Sequence, residues 1–222
     1  LILETDEAFN TFEKIKISDL LVLNVDSDHL DYFKNLDNYK DAFYKVMKNV
    51  TDNLVINNDD LNIKSMKDLK NPVSYGKDTS ADFKVQSPGS FKYKNNKYEI
   101  KSDIIGDHFK SNMLGAIILA LLNGIEIKDS LNAIESFAGV KRRIELIGIS
   151  KGVLIYDDYG HHPTEMEATI TALKQQTESK LYVVFQPHRY TRTMEYFSSF
   201  KDSLKLADFA IVTDIYPAGE SP

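Results

Sequence analysis

Residues 156–165 read Tyr-Asp-Asp-Tyr-Gly-His-His-Pro-Thr-Glu, so Asp157, Asp158, His161 and His162 crowd into one segment with Tyr159 and Glu165. Such a set suits proton transfer or cation binding. The segment follows an apolar run at 152–156, which predicts a buried strand. It precedes Met166, Ile170 and Leu173 at i, i+4 and i+7 spacing, which predicts a helix. Pro163 suits the first turn of that helix, where a missing N–H costs nothing. The cluster is therefore expected on a tight strand-to-helix loop. In parallel α/β folds that loop lies at the carboxyl edge of the sheet, where ligands bind.

Other expected strands end in the same kind of residue. A strand at 1–3 leads to Glu4, Asp6 and Glu7; one at 19–24 leads to Asp26, Asp28, His29 and Asp31. A strand at 180–185 leads to His188, Arg189 and Arg192, and one at 208–213 leads to Asp214, Tyr216 and Glu220. Four of the five histidines lie in these loops; the fifth, His108, lies just before an expected helix at 110–123. A purely structural protein has no reason to gather them at strand ends. Taken singly, each group also has a plain structural use. Asp26, Asp28 and Asp31 suit helix caps, the arginines suit surface pairs, and Arg142-Arg143 suit a hinge salt bridge. Glu4 with His29 would suit a hard cation such as Mg²⁺, which keeps most of its waters and takes one or two protein ligands. Arg189 and Arg192, three residues apart at a helix entrance, suit a phosphate or carboxylate. Together these point to ATP-dependent chemistry, although no G-x-x-x-x-G-K-[ST] phosphate loop is present.

Composition narrows the field. The 222 residues allow one large or two ordinary domains, and 42% apolar residues allow a proper core. A formal net charge of −6 argues against a general nucleic-acid binder. The absence of cysteine excludes disulfides and thiolate metal sites and fits a cytoplasmic protein. The longest apolar stretch, 113–122, is too short to span a bilayer, and no signal peptide is evident. The chain opens on what reads as mid-strand and stops at Ser221-Pro222 without a closing helix, as a fragment of a longer protein would.

Between the loops, periodicity predicts a helix at 36–48 and a strand at 53–57. Segments at 82–86, 90–94 and 97–101 alternate apolar and polar residues, predicting a small antiparallel sheet with a hairpin turn at Asn95-Asn96. A helix at 129–138 should stop at Gly139, where a domain boundary is expected. Beyond it, helices at 163–176 and 193–206 alternate with strands at 152–156, 180–185 and 208–213, which implies a parallel sheet.

Three long motifs, Asp157-Asp158-Tyr159-Gly160-His161-His162-Pro163-Thr164-Glu165, Gln186-Pro187-His188-Arg189-Tyr190-Thr191-Arg192-Thr193 and Tyr216-Pro217-Ala218-Gly219-Glu220, resemble the Mur ligase family. Glu4-Thr5-Asp6-Glu7, residues 24–31 and Gly139-Val140-Lys141-Arg142-Arg143 agree in register. The resemblance implies an α/β fold: a partial parallel-sheet ATPase domain at 1–138, with a small antiparallel sheet, then an incomplete Rossmann-like C-terminal domain at 139–222. The family's glycine-rich ATP loop would lie upstream of Leu1. The activity implied is ATP-dependent joining of L-alanine to UDP-N-acetylmuramate through an acyl phosphate. By resemblance, Glu4 and His29 would hold Mg²⁺, and His108 and Asn112 would meet the adenine. Arg142, Arg143 and Asp158 would meet the nucleotide from across a domain cleft. His161, His162, Arg189 and Arg192 would line the amide-forming end, with His161 or His162 taking the amine proton.

Two positions depart from or refine the pattern. The family's usual His-Asn-x-x-Asn is here His108-Phe109-Lys110-Ser111-Asn112, so one polar contact is missing. Phe43 stands where sister ligases carry a modified lysine, as in the alanine-adding branch. Rival readings are a ligase that recycles a whole tripeptide, a metal-dependent hydrolase, and an inactive fragment. The His188–Arg192 run favours the alanine-adding branch over the first, and the absence of an H-E-x-x-H signature argues against the second.

Overall fold

A computed structural model describes residues 1–5 and 7–221, with side chains for all of these except Phe9 and Asp31. Asp6, the Asp31 side chain and Pro222, all invoked above, lie outside the described residues. The chain divides into two compact units, Leu1–Ser102 with Lys110–Ser136, and Asp103–Phe109 with Phe137–Pro222.

In the first unit a 3₁₀ helix (Ala8–Lys14) precedes β1 (Asp19–Val22), α1 (Leu30–Phe33), α2 (Leu36–Lys48) and β2 (Asn53–Asn57). Next come α3 (Leu61–Ser65), β3 (Val73–Gly76), β4 (Phe83–Ser87), β5 (Ser90–Tyr93) and β6 (Asn96–Glu99). Helix α4 (Asp107–Leu122), whose first three residues are assigned to the second unit, and α5 (Ile127–Glu135) follow. One six-stranded sheet runs β1-β2-β3-β4-β5-β6. Its first four strands are parallel; β5 and β6 continue it antiparallel. The antiparallel segment is thus an extension of the main sheet and not a separate small one. Its turn falls one residue earlier than expected. Lys94 (φ 46°) and Asn95 (φ 67°) form the two-residue loop, while Asn96 already pairs with Tyr93.

Alternation along the parallel strands sends side chains to two covered faces. Val22, Leu54 and Ile56 join Tyr39, Ala42, Val46 and Met47 of α2 in one core cluster. Phe43 packs against that cluster, its ring 5.2 Å from Phe12 and 5.1 Å from Tyr39. On the opposite face, a Cβ added to Gly115 of α4 would come within 2.8 Å of Leu21 Cδ1 and 3.2 Å of Tyr75 Oη. Glycine therefore permits a close helix-to-sheet approach at that point. Local chemistry sets the bounds of α2. Asn35 caps it by accepting from the Asn38 N–H, and Lys45 and Lys48 lie in its last turn, where the helix dipole favours cations.

Four expectations in this unit need correction. Residues 1–3 form no strand: they pair with nothing in the sheet, and Leu1, Ile2 and Leu3 are exposed. An apolar triplet becomes a strand only where a neighbour accepts its hydrogen bonds. Helix α4 starts at Asp107, so His108 lies inside the helix, one turn before Asn112. Helix α5 ends at Glu135 with Ser136 as its cap, before Gly139. Strand β3, between its two parallel neighbours, was not foreseen.

The second unit holds the antiparallel hairpin β7 (Glu145–Ser150) and β8 (Val153–Asp157), then α6 (Pro163–Gln175) and β9 (Tyr182–Phe185). Helices α7 (Tyr190–Glu195) and α8 (Phe197–Leu204) lead to β10 (Phe209–Val212). Strands β9 and β10 pair in parallel, as expected. Strand β8 does not join them; it is hydrogen-bonded to β7, and Val153, Leu154 and Ile155 are exposed. The apolar run marks a strand correctly, but such a run carries no information about its partner. The positive φ of Lys151 (49°) and Gly152 (82°) closes the hairpin in the same two-residue manner. The single helix expected at 193–206 is broken at Tyr196. Met166 of α6, Phe185 of β9 and Phe200 of α8 form this unit's core cluster.

Candidate active site

In the second unit, three loops converge. His188 after β9 pairs with Tyr216 after β10 in an isolated parallel bridge, and their rings stack 5.6 Å apart. The Arg189 N–H donates to the Tyr216 carbonyl (2.8 Å). Glu220 completes the latch. Its Oε1 accepts from Arg189 Nε (2.6 Å) and Thr191 Oγ1 (2.6 Å), and its Oε2 accepts from the Thr191 N–H (3.0 Å). The loop after β8 joins through His161, whose ring lies 6.2 Å from that of His188. Arg192 is buried behind them in α7.

The Thr191 bonds and the Arg189 guanidinium hold Glu220 down to about 2, against an ordinary value of 4.5. A depressed carboxylate contributes stability above its unfolded value and loses it as pH falls through the folded one. The Thr191 amide shift should therefore titrate with a midpoint near 2 in an NMR series; a midpoint near 4.5 would mean that the latch is not formed. His188 is held below its ordinary range, first by burial and then by Arg192, His161 and Arg189, with Glu220 opposing.

The two neighbouring histidines have different local duties. His162 is the N-cap of α6, and its Nδ1 accepts from the Thr164 N–H (3.3 Å). That lone pair is occupied. His161 Nδ1 lies 3.1 Å from the Tyr159 carbonyl, which can only accept, so Nδ1 carries the proton and Nε2 keeps its lone pair.

Asp158 anchors a second set of contacts in this unit. Its Oδ2 accepts from the Ile144 N–H (2.8 Å), and its Oδ1 accepts from the Gly160 N–H (2.8 Å) and Thr169 Oγ1 (3.2 Å). This carboxylate pins the Arg142-Arg143-Ile144 segment, where Arg142 (φ 58°) and Ile144 (φ 49°) occupy the left-handed region. A β-branched residue there is strained and persists only when its surroundings fix it. Arg142 stacks over the Tyr159 ring at 4.5 Å and pairs with Asp157 at 3.6 Å, while Arg143 reaches Glu165 at 3.4 Å. His108 shares this unit. Burial lowers its basicity, aided by Arg143, while Asp158 and Asp107 push the other way. Asn112 falls in the first unit.

The first unit carries its own polar cluster. His29 Nε2 lies 3.8 Å from both Glu7 Oε1 and Asp28 Oδ2, and Tyr39 Oη donates to Glu7 Oε1 (2.8 Å). Glu7, three residues after Glu4 in sequence, faces the His29 ring. No group of three or more His, Cys, Asp or Glu able to hold a metal exists among the described residues. An imidazole beside carboxylates still fits a cation that keeps most of its own waters.

Sequence reading passed over Glu7, Glu165 and His188 as individual site members. Glu165 carried a signal, since a Glu three residues after a helix cap marks a capping box. His188 and Glu7 carried none beyond their motifs, because their neighbours come from other strands.

An α/β unit with a mostly parallel sheet, followed by a smaller α/β unit, is a fold shared with solved ligase structures. The UDP-N-acetylmuramate–alanine ligase of Thermotoga maritima superposes with a TM-score of 0.72 at 27% identity, covering 91% of this chain and 47% of that one. The family model for the Mur ligase middle domain matches residues 7–120, and that for the Mur ligase glutamate ligase domain matches residues 142–222. The chain belongs to the Mur ligase family. It is 39% identical over 236 residues to the UDP-N-acetylmuramate–L-alanine ligase of Dictyoglomus turgidum, covering 100% of this chain and 51% of that one. The enzyme of the same name from Caldicellulosiruptor bescii is 38% identical over 234 residues, covering 99% and 51%. The chain thus spans about half the length of the curated relatives it matches (51%). No helix among the described residues is long and apolar enough to cross a membrane.

Proposed function

We propose that this protein is an ATP-dependent amide ligase that joins L-alanine to UDP-N-acetylmuramate through an acyl phosphate, in the cytoplasm, as a step of peptidoglycan synthesis. The observation that carries the reading is the convergence of the three second-unit loops on His161, His188, Arg189 and Glu220. Acyl-phosphate chemistry needs anion positioning and a proton acceptor more than a covalent catalyst, and this cluster offers both. The proposed domain division is a central nucleotide-hydrolysing domain over 1–138 and a C-terminal domain over 139–222.

Arg189 and Arg192 would bind the anionic groups at the amide-forming end. His161 Nε2 would take the proton from the attacking amine, while His162 holds the loop as the helix cap. Arg142, Arg143, His108 and Asn112 would contact the nucleotide. Asp158 would support them by fixing the 142–144 segment. Glu4 and His29, with Glu7 beside the ring, would hold Mg²⁺. When bound, that ion neutralises charge on the phosphates.

Identity of 39% to an alanine ligase favours this branch over the tripeptide-recycling one. A hydrolase using a transition metal would want a donor group of three, which the described residues do not form. The test is phosphate release by the intact protein with ATP, UDP-N-acetylmuramate and L-alanine. Release should depend on all three. If omitting L-alanine, or replacing it with tripeptide, makes no difference, the branch assignment fails.

A further inference from the structure

We propose that Glu165 is a positioning residue for His161: its carboxylate holds the His161 backbone and sets a negative charge beside the imidazole, favouring the protonated form that arises when the amine gives up its proton. This rests on the ligase reading for its catalytic meaning, but not for its physical content.

A helix cap asks little of the residue at the third position: its side chain accepts from the backbone N–H of the cap residue. Glu165 does this for His162 through Oε2 (3.1 Å). The same oxygen also accepts from the His161 N–H (3.0 Å) and stands 3.9 Å from His161 Nδ1. The other oxygen faces Arg143 Nη1 at 3.4 Å. One carboxylate thus ties together the histidine loop, the start of α6 and the arginine segment ahead of β7. A cap alone has no use for the last two contacts. Burial works against ionisation of Glu165, yet the backbone bonds from His161 and His162, with the charges of His161 and Arg143, overcome it and keep the carboxyl below its ordinary value.

The arrangement has the logic of a carboxylate-supported imidazole. The Tyr159 carbonyl fixes the tautomer, so Nε2 points its lone pair away from Glu165. The negative charge beside Nδ1 then stabilises the imidazolium. The other groups facing the ring are Tyr159, at 5.3 Å, and His188, at 6.2 Å. Behind His188 stand Arg189, Arg192 and Glu220. Arg143 is the nearest fixed cation acting on Glu165 and tempers its effect.

Gln separates the two roles, because it fills the capping box as Glu does but carries no charge. In an NMR pH titration of the histidine ring protons, Glu165→Gln should leave the protein folded with a slightly lower Tm, since the ionised carboxylate adds some stability, and lower the His161 midpoint by on the order of half a pH unit. His29, in the other unit, serves as an internal control and should not move. Arg143→Met gives the opposite sign: with the competing cation gone, the His161 midpoint should rise. An unchanged His161 midpoint in both variants would show that Glu165 is only a cap. In the phosphate-release assay on the intact protein, Glu165→Gln should lower kcat, move the acidic limb of the pH profile to lower pH and leave the KM for ATP unchanged. A wild-type pH profile would overturn the catalytic part. Failure of the wild type to use L-alanine would sink the ligase reading while leaving the titration result standing.

Discussion

Replacing His161 with alanine should slow L-alanine-dependent phosphate release by about 10²- to 10⁴-fold, the usual contribution of a positioned general base. ATP affinity should stay unchanged, because no nucleotide contact is assigned to this ring. The neighbouring His162→Ala should behave differently. His162 Nδ1 accepts from Thr164 at the head of α6, so its loss removes a cap and costs roughly 0.5–2 kcal/mol of stability. Its effect on rate should therefore follow the folded fraction and disappear at low temperature. Side-by-side turnover, ATP-binding and unfolding measurements separate the cases. Normal turnover in His161→Ala, or a rate loss in His162→Ala that exceeds its loss of folded protein, would reverse the assignment. The contrast arises because adjacent residues at a helix start face different ways: one side chain turns back to the helix N–H groups, and the other turns towards His188.

The second large effect is expected from Asp158→Ala. Three donors lose their acceptor at once: the Ile144 and Gly160 N–H groups and the Thr169 hydroxyl. Bonds to a charged acceptor contribute about 1.5–3 kcal/mol each, and partial exposure of this site lowers the sum, so a loss of about 2–4 kcal/mol is expected. The strain at Ile144 amplifies the effect locally. Without the carboxylate, the bonds of Arg142 to Glu145 and Tyr159 remain, but the left-handed backbone at Ile144 loses its own acceptor, and the 142–144 segment should relax. Hydrogen exchange should report lost protection at the Ile144 and Gly160 amides, and nucleotide affinity should fall with it. The site has no slack for a compensating neighbour. A Cβ at Gly160 would stand 2.6 Å from Asp158 Oδ1, so the loop is built tightly around that oxygen. If Asp158→Ala unfolds at the wild-type denaturant midpoint, the carboxylate does not hold this segment.

Much of the architecture is legible in the chain because its causes are local. Helix α2 spans Leu36–Lys48 and strand β2 spans Asn53–Asn57, both as periodicity predicts. Apolar spacing, an Asn cap and terminal lysines act within a few residues of each other. The same holds for the start of α6, where His162, Pro163 and Glu165 spell out a cap in four residues. The long motifs around 157–165, 186–193 and 216–220 likewise named the loops that matter, since the chemistry-bearing residues there are neighbours in sequence.

Pairing between distant segments was a different matter. An apolar run at 152–156 looks the same whether it joins a parallel sheet or folds back on β7, because side-chain alternation does not specify which strand supplies the hydrogen bonds. Residues 1–3 have strand composition but no strand neighbour. The parallel and antiparallel halves of the first sheet merge through β4, a junction set by strand order alone. The candidate site follows the same division. Residue types and loop positions were readable, but which carboxylate meets which imidazole was not. His29 faces Glu7 and Asp28, Arg189 is held by Glu220, and Glu165 links His161 to Arg143. Composition and short-range spacing thus specify the elements and the kind of chemistry. The long-range charge partners, Glu7 for His29, Glu220 for Arg189 and Arg143 for Glu165, are brought together across 20 or more residues, and such contacts exist only once the chain has packed.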